Sequence, residues 1–163
     1  MKPRLKHLIV FAVPALAAGA LLTGSSAPAQ GPASRTITLK ELDKGSTFTH
    51  IRNTRAGHRA NSPGDVVAYT ARLTDVSGKP VGKLHYSCVT TAGSSNFERS
   101  RANCGGVLAV ADGTLTVQFL LDPSKSTTSG AVTGGTGAYA NARGTFVSKG
   151  TKGGADDTIL LEG

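Results

Sequence analysis

The chain has 163 residues, enough for one domain, and a formal net charge of +8 from 18 basic and 10 acidic side chains. Charged residues are 17% of the whole, glycines number 21 and there is no tryptophan, a composition that argues against a helical enzyme and for an all-β domain.

Taken in order, residues 1–29 read as an export signal. Lys2, Arg4 and Lys6 give a positive start, residues 8–22 an apolar run, and Ala27-Pro28-Ala29 the small residues of a cleavage site. The run falls short of the ~20 apolar residues of a membrane span, and no basic stop-transfer follows. The expectation is cleavage near Ala29, a secreted domain over residues 30–163, and no membrane span after cleavage. Fifteen basic and ten acidic residues then remain, an excess of +5. The excess is densest over residues 50–59, a basic stretch from His50 to Arg59 suited to docking on an anionic surface and equally to plain solvation. Nucleic acid is not an expected partner, because the stretch lacks interleaved aromatic residues and export removes the chain from it.

Period-two alternation predicts strands from there on. Residues 36–51 form one long strand or a hairpin, interrupted at Asp43-Lys44-Gly45-Ser46. Residues 65–74 place Val67, Tyr69, Ala71 and Leu73 on one face. After a turn at Ser77-Gly78-Lys79-Pro80, residues 81–90 place Leu84, Tyr86 and Cys88 on one face and His85 on the other. Residues 102–111 align Cys104, Leu108 and Val110, and the turn at Asp112-Gly113 leads into Leu115, Val117, Phe119 and Leu121. A polar loop over 122–126 precedes two strands flanking a glycine-rich bend within 131–147, and residues 157–161 are the last strand. Short strands, regular turn signals, no helical stripe and no internal repeat indicate a sandwich or barrel. The two cysteines of this exported chain, Cys88 and Cys104, lie on consecutive strands and on their apolar faces. One disulfide is expected, with a free thiol in the lumen as the alternative.

Catalytic constellations are scarce. His50, His58 and His85 show no zinc-ligand spacing, so neither a metal site nor a cofactor is expected. There is no Gly-x-Ser-x-Gly elbow. Glu41, Asp65, Glu98, Asp112, Asp156 and Asp157 read mostly as turn residues, not as a pair across a cleft. Gly135-Thr136-Gly137-Ala138-Tyr139-Ala140 fits a dinucleotide fingerprint in letters, with Asp156 and Asp157 downstream. No helix opens there to receive a pyrophosphate, and no Gly-Lys-Ser/Thr follows to make a P-loop. Gly134, Gly135, Thr136 and Gly137 are instead expected to bend the chain sharply near the barrel mouth, at least one glycine taking a positive φ. Tyr139 then packs over a barrel end or lumen wall, Arg143 bonds carbonyls or a turn acid such as Asp65, and Gly144 punctuates the next strand.

The run from Gly134 to Gly144, GGTGAYANARG, closely resembles the signature of the allene oxide cyclase and dirigent superfamily. Supporting matches are Gly64-Asp65 before a strand, Lys79-Pro80-Val81-Gly82 in a hairpin, and residues 112–117 entering a strand. The resemblance spans residues 36–163. It implies an all-β fold, an eight-stranded antiparallel β-barrel with a largely apolar lumen and Tyr69 pointing into it. It also implies a homo-dimer or homo-trimer, for which the outward Val66, Ala68 and Leu120 would serve. The acid and asparagine of the cyclases fall on Thr38 and Lys40 here, and their turn proline on Thr47, so that set is unmatched unless the register slips by one residue. Glu41 is the only nearby acid and matches a different position. The aspartate-rich motif of plant dirigent proteins has no counterpart, while the cyclase branch carries a cysteine in the strand matching Cys88.

The reading that follows is a secreted barrel that binds a small apolar or phenolic molecule against Val67, Tyr69, Ala71, Leu84, Tyr86, Val117, Phe119 and Leu121. It would steer that molecule's coupling or cyclisation by shape, which needs few acid–base groups; no catalytic residue is assigned. A true isomerase or cyclase is one alternative, favoured by a buried titrating carboxylate in the lumen. A structural surface domain is the other, favoured by a filled lumen.

Overall fold

The computed structural model describes residues 34–56 and 61–163. The expected export signal, and residues 57–60 of the basic stretch, lie outside the described residues. Most of the described chain is strand: β1 (Arg35–Ile51), β2 (Val66–Thr74), β3 (Pro80–Ala92), β4 (Arg101–Val110), β5 (Gly113–Leu121), β6 (Thr127–Gly135), β7 (Gly144–Thr151) and β8 (Gly154–Leu161). Each strand is antiparallel to the next, and β8 returns to β1, so the eight strands form a closed barrel. Closure leaves no sheet edge over the paired lengths, and alternate residues of every strand face the lumen.

The interruption expected in the first strand is a bulge within one continuous β1. Its register on β2 shifts between Leu42 and Thr47. Gly45 turns there with φ 83°, and Arg72 Nη2 donates to the Lys44 carbonyl at 2.7 Å. Up to Leu42, β1 pairs with both β8 and β2; from Thr47 to Ile51 it pairs with β2 alone. The wall therefore parts from β8 just above Glu41.

Antiparallel order sets two ends. The β2–β3, β4–β5 and β6–β7 connections share one end with the start of β1. The β1–β2, β3–β4, β5–β6 and β7–β8 connections share the other, the open end. Toward the first end a packed layer crosses the lumen: Leu39, Leu73, Leu108, Leu115 and Ile159 are 0–5% exposed, with Val117, Val132 and Phe146 against them. Each such side chain contributes roughly 1.5–3 kcal/mol by leaving water.

The glycine signature departs from expectation in place and extent. Gly134 and Gly135 belong to β6, and the bend is the short 3-10 turn Gly137–Tyr139. Of the three glycines only Gly137 has a positive φ, 61°. The bend closes the packed end, not the mouth, because β6 runs toward that end. Tyr139 is buried in the core, with the Arg35 guanidinium 5.5 Å from its ring centre. Arg143 Nη1 donates to the Ala142 carbonyl at 2.8 Å; Asp65 is at the opposite end with other partners. Gly144, with φ 152°, opens β7. Cys88 and Cys104, direct partners on β3 and β4, form a disulfide inside the barrel.

Candidate functional site: the open lumen

Above the packed layer the lumen holds a cavity of about 250 Å³, a little below the ~300–1,000 Å³ typical of sites for drug-sized ligands. Aromatic rings make much of its wall. Tyr69 and Tyr86 lie 4.9 Å apart between ring centres, Tyr86 and Phe119 5.8 Å edge-to-face, and Phe119 and Phe146 5.9 Å. Two glycines allow this crowding. A Cβ on Gly106 would stand 2.9 Å from that of Tyr86, and one on Gly130 2.7 Å from that of Phe119. Leu84 and Leu121 complete the apolar surface, and Thr128, Ser148 and Lys125 supply polar groups. Lys125 is 70% exposed and lies 3.9 Å from Asp122, so its charge stays at the rim.

Two carboxyl groups stand inside, a correction to the reading of these acids as turn residues. Glu41 follows Ile37 and Leu39 on the inward face of β1 and lines the cavity. Burial raises its pKa to about 6; the Tyr69 hydroxyl donates to it and lowers it in part, and the charges of Asp157 and Asp43 raise it further. Asp157 lies on β8, its Cα paired with Leu39, and is fully buried. Neither of its oxygens has a hydrogen bond of ordinary geometry. Burial lifts it to about 6, and Ser148, its neighbour on β7, offsets this only in part. Tyr86 is pushed up to about 12 by burial and by the nearby carboxylates, and Tyr69 also rises through burial and its bond to Glu41. Both phenols are neutral donors at physiological pH. A carboxyl group poised near neutrality beside a flat aromatic wall can give or take a proton from a bound molecule.

The structure sorts the residues read as lumen-lining into three groups. Leu84, Tyr86, Phe119 and Leu121 border the cavity, and Tyr69 touches it through Glu41. Val67 borders a neighbouring cavity of about 270 Å³, which shares Tyr86 and Leu121 with the first. Ala71 and Val117 are packed into the core and border neither. Glu41 and Asp157 were missed. Glu41 had a signal, an acid in step with Ile37 and Leu39; Asp157 had none, because an acidic pair after Gly153-Gly154 looks like a turn until its register on β1 is known. A third cavity, about 360 Å³ and mostly apolar, lies at the packed end against Leu39, Leu115 and Tyr139; it shares no lining residue with the first. Among the described residues no three His, Cys, Asp or Glu side chains gather as metal ligands, and no helix is long and apolar enough to cross a membrane.

The chain is a closed eight-stranded barrel with an aromatic, half-open lumen and an inward acid. The chain belongs to the family described as "Allene oxide cyclase barrel like domain", whose model matches residues 46–151. No curated protein matches it. Among solved structures it is similar to a pyocyanin demethylase, at 21% identity and TM-score 0.62 over 80% of this chain and 100% of the other. It is similar to a pterocarpan synthase dirigent protein at 22% and 0.55, over 79% and 82%. A Diels-Alderase described as exo-specific and intermolecular follows at 15% and 0.56, over 81% and 100%. At these identities the likeness is one of fold.

Proposed function

We propose that this protein is an exported barrel that takes a small, largely apolar, unsaturated or phenolic molecule into its lumen and promotes its coupling or cyclisation, with Glu41 as the proton-transferring group. The observation that carries the reading is the half-buried Glu41 carboxyl, held near a pKa of 6, on the wall of an aromatic cavity. Tyr86, Phe119 and Phe146 would fix the plane of the molecule, and the protonated acid would polarise a carbonyl, enol or phenol oxygen as the new bond forms. This favours the isomerase or cyclase alternative over shape-steering alone, and the open cavity speaks against a filled structural barrel. Neighbouring folds named for dirigent and Diels-Alder chemistry are compatible with it. Export rests on residues 1–29 and predicts a secreted protein that starts near Gln30.

Native mass spectrometry of the secreted protein identifies a co-purifying small molecule, which then serves as probe. Glu41→Gln is expected to keep binding it while conversion falls by about 10²-fold or more, the usual worth of a positioned acid. Conversion by Glu41→Gln at the native rate would leave shape-steering as the function and remove Glu41 from the chemistry.

A further inference from the structure

The two ends of the barrel differ in the charge their connections carry. Among the described residues, the packed-end connections hold Lys79 and Arg143 against Asp75 and Asp112, a balanced set. The open-end connections hold Arg52, Arg55, Arg99, Lys125 and Lys152, all exposed. Their acids do little to offset this. Asp65 is 1% exposed and accepts the Asn53 N–H at 2.7 Å and the Ser62 N–H at 3.0 Å. Asp122 lies 3.1 Å from Arg101 and 3.9 Å from Lys125. Glu98 is the one exposed acid of these connections among the described residues.

The same end leaves aromatic rings in water. Phe48 lies on the part of β1 that pairs with β2 alone, and Phe97 opens the 3-10 turn Phe97–Arg99 between β3 and β4. They are 66% and 56% exposed, and both border the cavity of about 270 Å³ beside the lumen. Exposed rings among exposed cations fit a surface with negative charge at its face and an apolar layer just beneath. A second copy of this chain, brought mouth to mouth, carries the same positive charge and is repelled. A soluble polyanion satisfies the cations and leaves the rings wet. An anionic bilayer answers both: its surface potential attracts lysine and arginine, and aromatic rings settle between headgroups and acyl chains.

We propose that the open end of the barrel docks on an anionic lipid bilayer, with Phe48 and Phe97 set into the interfacial layer and the arginines and lysines of the connections over the headgroups. The docking is peripheral, carried by connections and the end of one strand. It does not rest on the lumenal chemistry proposed above and stands whether or not Glu41 transfers a proton. It would turn the mouth of the lumen toward the layer in which apolar molecules dissolve.

The chain has no tryptophan, so one introduced residue reports its own surroundings. The secreted, disulfide-intact protein is given Phe97→Trp at the open end or, as control, Val76→Trp at the packed end, where Val76 is 64% exposed. The native protein and both variants are mixed with vesicles of phosphatidylcholine alone, or with about 30% phosphatidylglycerol. Co-sedimentation with the anionic vesicles should be about tenfold stronger than with the neutral ones, and should weaken in about 0.5 M salt. Emission from Phe97→Trp should shift to the blue and be quenched by lipids brominated on their acyl chains, while that from Val76→Trp stays unchanged. Arg52→Glu with Arg55→Glu should lower partition several-fold and reduce its salt dependence. Phe48→Ala should lower it several-fold and keep the salt dependence. Equal partition onto neutral and anionic vesicles overturns the proposal, and so does a blue shift from Val76→Trp with none from Phe97→Trp. Binding to soluble polyphosphate and to anionic vesicles alike, with Phe97→Trp emission unmoved in both, makes this end a polyanion site and overturns docking on lipid. Should a tryptophan variant not fold, co-sedimentation of the native chain and of Phe48→Ala decides the matter.

Discussion

Asp157 is a carboxyl group on the wrong side of its own solvation. It is fully buried, neither oxygen has a hydrogen bond of ordinary geometry, and burial, offset only in part by Ser148, raises its pKa from 3.8 to about 6. The folded protein therefore binds more protons than the unfolded chain between about pH 4 and 6. Stability from this group is complete below pH 4 and is lost as pH rises through 6, a difference on the order of 2–3 kcal/mol. Glu41 titrates in the same direction through the same range. Asp157→Asn should raise the melting temperature at pH 7.5 and leave it nearly unchanged at pH 4; an equal effect at both would show that the buried charge is not the source. Activity carried by protonated Glu41 should likewise decline above about pH 6. The sequence made Tyr69, Tyr86 and Phe119 legible as inward residues, because alternation alone decides their face. It could not show the two acids, whose position depends on which strand lies beside which.

At the scale of the element, the glycine stretch and the disulfide hold the walls in place. Gly137 combines a positive φ with a backbone so close to Asp112 that a Cβ would strike its carbonyl oxygen. Gly137→Val should cost more than about 1 kcal/mol in denaturant unfolding without altering lumenal binding in the protein that remains folded. Loss of binding with unchanged stability would make the stretch a ligand loop. The Cys88–Cys104 bridge closes a loop of 16 residues between adjacent strands. Cys88→Ala with Cys104→Ala should lower stability by about 3 kcal/mol on the chain-entropy account, read as a lower denaturation midpoint with unchanged strand content. The first five strands were readable from period-two patterning and turn residues to within a residue or two, whereas β6, β7 and β8 extend three or four residues beyond the stretches expected for them. The bend was misplaced because glycines announce freedom, and pairing decides where that freedom is used: Gly134 and Gly135 are taken up by the ladder with β5.

For the whole molecule, the outer face raises the question of assembly. Ile51, Val66, Val89, Asn103 and Leu120 are successive register partners from β1 to β5, and Ile51, Val89 and Leu120 are 45–59% exposed. We propose that this band seats a second copy of the chain. Sedimentation should show a dimer or trimer that Leu120→Lys converts to monomer; a native protein that stays monomeric at high concentration ends that proposal. Eight-stranded closure was legible through the resemblance, whereas composition and alternation alone reached only a sandwich or barrel. The packed layer of Leu73, Leu108, Leu115 and Ile159 has a further effect. It closes the lumen beneath Glu41, so that the proposed ligand and the hydrogen on Glu41 would both come and go by the open end. A molecule seated there cuts that hydrogen off from bulk exchange. A turnover begun in light water and completed in deuterium oxide should then deliver product still carrying the original isotope.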